Sequence, residues 1–273
     1  MQTYKSLFLM IMMAMIISSC QTPLTVDKWQ AYSFQKEIIT TSDFTILIAH
    51  KNLKPNQNAL LYIEGDGQAW LSRRIRASDP TPRQSLVQDM VINQTDRPVL
   101  YMARPCQFIK TFEKPCHPSY WDRKRFAPNV ISSMNEALEF LKQHYRIRGF
   151  DVVGYSGGGA IALLLAQQRT DIHSITTIAG HLDTLSVSQY HGLSPLDGSL
   201  NPADKAFLTA HIPQTHYVGD RDQIIPPVMI RNYIQALPKG HKARIMTVPD
   251  ATHDDGWDNI KLQSSEMTHD DNR

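Results

Sequence analysis

A serine set among glycines, Gly154-Tyr155-Ser156-Gly157-Gly158-Gly159, joins a short apolar run to a small-residue segment, and this junction constrains the fold more than any other stretch. The run before it, Phe150-Asp151-Val152-Val153, is β-branched and aromatic, as a buried strand is. The segment after it, Ala160 to Gln168, is rich in Ala and Leu and reads as a helix. Where a strand turns straight into a helix, the corner residue is driven into a strained backbone conformation, and its neighbours must be too small to clash. Gly154 and Gly158 meet that need. The helix also aims its free N–H groups and the positive end of its dipole at any oxyanion formed beside the serine. Plain strand-to-helix connections can share this pattern, so the serine alone does not define a chemistry.

A serine hydroxyl is a weak nucleophile at neutral pH. It needs an imidazole to take its proton and a carboxylate to fix the imidazole tautomer. Both types follow in the chain. Gln214-Thr215-His216-Tyr217-Val218 reads as a strand that runs into Gly219-Asp220-Arg221-Asp222-Gln223-Ile224-Ile225-Pro226. Ala243 to Val248 reads as the last strand, followed at once by Pro249-Asp250-Ala251-Thr252-His253-Asp254-Asp255-Gly256-Trp257. Each candidate thus lies just past the C-terminal end of an expected strand, where parallel α/β sheets gather their site loops. His216, inside a strand, reads as a packing or hydrogen-bonding residue. Asp254 and Asp255 read as capping or solvating groups.

Gly154-Tyr155-Ser156-Gly157-Gly158, Gly219-Asp220-Arg221-Asp222 before Ile224-Ile225-Pro226, and His253 after the final strand together resemble the α/β-hydrolase superfamily. The chain order Ser, Asp, His is also that of the superfamily. The resemblance implies Ser156 as nucleophile, His253 as base and Asp222 as orienting acid, with Asp220 in the same turn as the alternative. It implies an oxyanion hole built from the N–H of Gly157 and an N–H after an earlier strand. Ala59 to Ile63 is that strand and Glu64-Gly65-Asp66-Gly67 its loop, with Glu64 where members often carry histidine; the second donor is assigned to Asp66. An ionised side chain would oppose a developing oxyanion, so the Asp66 carboxylate is expected to turn away, toward a loop N–H or Arg73.

The fold expected is α/β: an α/β-hydrolase fold with a mainly parallel central sheet, helices on both faces and at most a small cap. Strands are expected at Phe34–Thr40, Phe44–His50, Ala59–Ile63, Pro98–Ala103, Phe150–Val153, Ser174–Ala179, Thr215–Val218 and Ala243–Val248. Val130, Met134, Ala137, Leu138 and Leu141 form an apolar stripe on a helix from Asn129 to Tyr145, and Pro227 to Leu237 reads as a crossover helix. Two loops are expected to overhang the serine. One, from Arg104 to Pro128, carries Phe108, Phe112, Tyr120 and Trp121. The other runs from Gly180 to Pro202 and carries His181, Asp183, His191, Asp197, Ser199 and Asn201, which either read a polar substrate or satisfy turn backbone groups.

With 273 residues, a single α/β core is the default. A formal net charge of +2, from 28 basic and 26 acidic residues, gives no field that would argue for nucleic acid. Arg73-Arg74-Ile75-Arg76 and Arg123-Lys124-Arg125 read as solvated faces. Lys5 precedes an apolar stretch from Leu7 to Ile17, shorter than the ~20 residues of a membrane span but suited to a signal core. Ile17-Ser18-Ser19-Cys20 resembles a bacterial lipobox, which implies cleavage before Cys20, lipidation of that cysteine and a tether to the cell envelope; Gln21 points to the outer membrane, facing the periplasm. Ordinary secretion and an uncleaved anchor are the alternatives. The organisation expected is a lipoprotein signal peptide at 1–19, a tether at 20–30, the hydrolase domain at 31–262 and a polar tail at 263–273. After export, Cys106 and Cys116 could close a disulfide. A metal site of Cys106, Cys116 and His117 lacks a fourth ligand at useful spacing, so no metal and no cofactor are assigned.

The expected activity is a serine hydrolase cleaving a carboxylic ester or related acyl bond of a small-molecule or lipid substrate. A thioesterase, an amidase or peptidase, an acyltransferase, and a catalytically silent envelope binding protein are the alternatives.

Overall fold

The apolar runs pair into an eight-stranded sheet in a computed structural model that describes residues 28–258 and 260, apart from 73, 95, 96 and 110–115. The expected signal peptide, Cys20 and the polar tail lie outside the described residues, as do Arg73 and Phe112. The strands are β1 (Gln35–Thr40), β2 (Thr45–Lys51), β3 (Asn58–Ile63), β6 (Val99–Met102), β7 (Gly149–Tyr155), β8 (Ile172–Ile178), β9 (Gln214–Gly219) and β10 (Ala243–Val248), with β4 (Trp70–Ser72) and β5 (Ile75–Arg76) forming a separate hairpin. Their order is β1-β2-β6-β3-β7-β8-β9-β10. Every neighbouring pair from β6 to β10 is parallel, whereas β2 is antiparallel to β6 and β1 to β2. The mainly parallel sheet is therefore observed, with strand ends shifted by a residue or two from their expected places.

Successive strand residues point to opposite faces, and both faces are covered. Leu61 and Ile63 of β3 and Phe150 and Val152 of β7 join one core with α3 (Pro128–Tyr145), α4 (Gly157–Ala166) and α6 (Pro227–Gln235). Leu60 and Tyr62 of β3 and Val153 of β7 join the other with α2 (Leu86–Ile92) and Trp257. The stripe on α3 is buried as its spacing predicts. Helix α4 is buried along its whole length, as suits a segment that is apolar all round.

The sequence reading placed residues up to 30 in a tether, but α1 (Lys28–Ala31) begins the folded part. Trp29 is 5% exposed, its ring 4.7 Å from that of Tyr101 and 5.4 Å from that of Phe34. The large apolar ring draws the segment onto the sheet. Tyr120 and Trp121 do not overhang the serine either. Trp121 is buried with its indole N–H on the Ala77 carbonyl at 3.0 Å, and Tyr120 packs edge-on to Phe44. Phe108 packs against the second core, 6.3 Å from the Tyr101 ring. Cys106 and Cys116 form a disulfide with Cα atoms 5.5 Å apart, which takes both thiols out of the metal alternative. By loop entropy this closure contributes roughly 2–3 kcal/mol.

Candidate active site

Ser156 occupies the corner between β7 and α4 with φ 50° and ψ −118°, a conformation an L residue rarely adopts. The corner closes only because its neighbours lack side chains: a Cβ on Gly154 would lie 2.3 Å from the Gly158 carbonyl oxygen. The Ser156 N–H donates to Ile178 O at 2.9 Å, and its carbonyl accepts from the His181 N–H at 2.9 Å. Both ends of the strained peptide are thereby tied to the chain leaving β8.

The Ser156 Oγ lies 3.0 Å from His253 Nε2, and His253 Nδ1 lies 2.9 Å from Asp222 Oδ2. The other Asp222 oxygen accepts the N–H groups of Ile224 and Ile225, each at 2.8 Å, so the carboxylate is locked in one orientation. Its side chain is fully buried, while Asp220 is exposed. The structure thus brings Asp222, and not Asp220, to the imidazole. Around His253, the indole N–H of Trp257 donates to its carbonyl at 3.0 Å, and the Tyr155 hydroxyl donates to Asp254 at 2.8 Å. Asp254 therefore anchors the histidine loop to the residue before the nucleophile. His216 is buried in β9 with Nδ1 2.8 Å from Thr177 Oγ1, and burial pushes its pKa down to about 3.

Asp66 follows β3 as expected, and among the described residues neither its N–H nor that of Gly157 has a protein acceptor. Its carboxylate, however, does not turn away. It fills the space a side chain at 157 would take: a Cβ there would lie 2.1 Å from Asp66 Oδ1. Two guanidiniums hold it, Arg104 Nη1 on Oδ1 and Arg125 Nη1 on Oδ2, both at 2.8 Å. Burial alone would raise the Asp66 carboxyl, but Arg125 and Arg104 outweigh it and hold it well below the usual carboxylate range. Its charge can sit beside the oxyanion position because it is already neutralised.

The sequence reading missed this cluster. Arg125 reads in the sequence as part of a solvated face, yet its side chain is 17% exposed and its Nε donates to Asp122 O at 2.8 Å. Arg104 is buried and also donates to the Arg125 carbonyl. His181 is buried edge-on to Phe126, its pKa pushed down to about 4 chiefly by burial. A positional signal existed for two of them: Arg104 and His181 follow the C-terminal ends of β6 and β8, by the same rule that selected Asp66, Asp222 and His253.

Asp183, Asn201 and Ser199 of the Gly180–Pro202 loop serve the backbone. Asp183 caps α5 (Thr184–Tyr190) through the N–H groups of Leu185 and Ser186, Asn201 accepts from the Thr184 N–H at 2.9 Å, and Ser199 donates to Arg123 O at 2.7 Å. Glu64, where histidine is common, is enclosed. It accepts from Ser85, from the Tyr101 hydroxyl at 2.8 Å and from the Gly65 N–H at 2.9 Å, and burial raises its pKa. It props the loop from beneath and does not reach the serine.

A parallel sheet covered on both faces, with a serine at a strand-to-helix corner and a histidine and an aspartate hydrogen-bonded in series behind it, is the α/β-hydrolase architecture. The chain matches the serine hydrolase (FSH1) family over residues 93–251, and it belongs to that family. No curated protein sequence matches it. Solved structures share the fold at low identity. An esterase from Pyrococcus furiosus is similar over 82% of this chain and 85% of its own, with a TM-score of 0.56 and 12% identity. An α/β hydrolase from Penicillium sp. covers 82% and 92% with a TM-score of 0.58 and 11% identity. A serine hydrolase homologue from Coxiella burnetii covers 81% and 89% with a TM-score of 0.52 and 11% identity.

Proposed function

We propose that this serine hydrolase is a lipid-anchored envelope esterase that cleaves a carboxylic ester, or a closely related acyl bond, through an acyl-enzyme on Ser156. The observation that carries the reading is the unbroken contact from Ser156 Oγ to His253 Nε2 at 3.0 Å and from His253 Nδ1 to Asp222 at 2.9 Å. Asp222, held by two backbone N–H groups, keeps the proton on Nδ1 and leaves Nε2 as an acceptor. His253 takes the hydroxyl proton as Oγ bonds to the carbonyl carbon. The N–H groups of Gly157 and Asp66 receive the oxyanion, and the imidazolium gives the proton to the departing alkoxide as the C–O bond breaks. Water enters by the reverse sequence and releases the acid and free Ser156. No step calls on a metal or a cofactor.

Labelling with a fluorophosphonate probe tests the chemistry. Wild type should label and Ser156→Ala should not; equal labelling would refute the covalent step. The envelope assignment rests on the lipobox resemblance at Ile17-Ser18-Ser19-Cys20. Its partners are then a small-molecule or lipid acyl substrate and a membrane reached through the anchor. Cys20→Ala should move the protein from the membrane to the soluble fraction, and retention at the membrane would rule the anchor out.

A further inference from the structure

The charged cluster beside Gly157 limits what the acyl half of the substrate can be, an inference that rests on Ser156 acting as nucleophile. His253 must face the leaving group to return its proton, and the N–H groups of Gly157 and Asp66 face the oxyanion. The acyl group takes the remaining side of the carbonyl carbon; the Asp66 carboxylate fills the volume beside Gly157, and Arg125 donates to it at 2.8 Å. A hydrocarbon chain placed there would desolvate charges without pairing them.

The cluster has hydrogen-bonding capacity to spare. Arg125 uses Nε on Asp122 O and Nη1 on Asp66, and its Nη2 has no acceptor among the described residues. His181 Nε2 and Arg104 Nε are buried without a partner. Each oxygen of Asp66 already accepts from one guanidinium. Its single negative charge is set against two positive ones, and His181 is neutral at pH 7 because burial lowers its pKa to about 4. Of the nearby carboxylates, Asp122 pairs with Arg76, Asp183 caps the start of α5, and Glu64, held by three donors beneath the loop, acts electrostatically on Arg104 and leaves Arg125 to Asp66. The Arg125 guanidinium, whose one ionic partner among the described residues is Asp66, and the unpartnered nitrogens of Arg104 and His181 therefore lie around the Asp66 carboxylate beside Gly157. That is the complement of an anion with oxygen acceptors.

We propose that Arg125, aided by His181, forms an acyl-side subsite for a carboxylate, so that the enzyme prefers half-esters of short dicarboxylic acids over esters of fatty acids. Arg125 is then a specificity-determining residue. Asp66 acts twice: its N–H serves the oxyanion and its carboxylate aims the guanidinium.

The test compares 4-nitrophenyl hydrogen adipate with 4-nitrophenyl hexanoate, which match in chain length and leaving group. Wild type should favour the adipate half-ester by about tenfold or more in kcat/KM, the difference lying mainly in KM, as one charge-assisted hydrogen bond predicts. Arg125→Gln should collapse the ratio toward one, and Arg125→Lys should keep part of it. Free adipate should protect wild-type Ser156 from the fluorophosphonate probe better than hexanoate does, a readout that needs no turnover. A wild-type preference for hexanoate in rate and protection, or an unchanged ratio in Arg125→Gln, would overturn the subsite. Probe labelling separates the two levels: if labelling depends on Ser156 but no anionic preference is found, only the subsite fails, and if it does not depend on Ser156 the underlying mechanism fails.

Discussion

Replacing Asp222 with Asn changes no volume, yet it should nearly abolish catalysis, and the structure dictates how. Asp222 Oδ1 accepts the N–H groups of Ile224 and Ile225 at 2.8 Å, and an amide NH₂ in that place would oppose two donors. The Asn oxygen must therefore take the Oδ1 position, which puts its NH₂ where Oδ2 now faces His253 Nδ1 at 2.9 Å. That NH₂ can only donate. The histidine is then driven to the tautomer with its proton on Nε2, 3.0 Å from Ser156 Oγ, where it no longer accepts the serine proton. A wrong-tautomer imidazole costs about 10⁴-fold in kcat, or about 5 kcal/mol of transition-state stabilisation. Because both backbone bonds survive, thermal stability should change little. The assay is kcat on a 4-nitrophenyl ester beside a melting curve. A loss below tenfold with an unchanged melting curve would refute the assignment of Asp222 as the tautomer-fixing acid.

Gly157→Ala should damage both stability and rate. The new methyl would lie 2.1 Å from Asp66 Oδ1, so the carboxylate must leave at least one of its guanidiniums. Breaking a buried pair costs about 3–5 kcal/mol, and displacing an oxyanion donor about 10²–10³ in kcat. Denaturant midpoint and kcat measured together check this, and a neutral substitution would contradict the Asp66 geometry. The buried histidines predict an acid-labile fold. Burial lowers the pKa of His181 to about 4 and of His216 to about 3, so the unfolded chain binds protons that the native one refuses. Their contribution is complete above the ordinary value of about 6.5 and is lost as pH falls through the window down to about 4, by roughly 2–3 kcal/mol each between pH 6.5 and 4.5. Unfolding midpoints across that range check it. His216→Gln should flatten the slope, and an equally steep profile in that variant would show that His216 is not buried neutral.

Strand signals carried most of the fold, because Ala59–Ile63 and Phe150–Val153 are short, largely apolar runs that end up buried, and Ala243–Val248 alternates apolar and polar residues as a half-exposed edge strand does. Ser156, Asp222 and His253 were legible for a related reason: each follows such a run directly, so a one-dimensional rule locates it. What stayed hidden depends on contacts distant in sequence. Arg104 lies 38 positions from Asp66 and Arg125 lies 59, and nothing local distinguishes an inward Arg125 from its neighbours in Arg123-Lys124-Arg125. Trp29 looked like part of a tether because its partners, Phe34 and Tyr101, belong to separate strands or loops. The hairpin of β4 and β5 is too short to leave a periodic trace.

Helix α4 has no solvent face, and Ser156 is the residue that starts it. Partial openings that expose only rim loops leave such a helix untouched, so its amides should exchange with solvent only when the whole domain opens. The nucleophile is thus mounted on the most slowly opening part of the molecule, while Arg104, Arg125 and His181 belong to the connections around it. Drift at Arg104 and Arg125 can alter which substrate is accepted while the helix that carries the reacting oxygen stays in place.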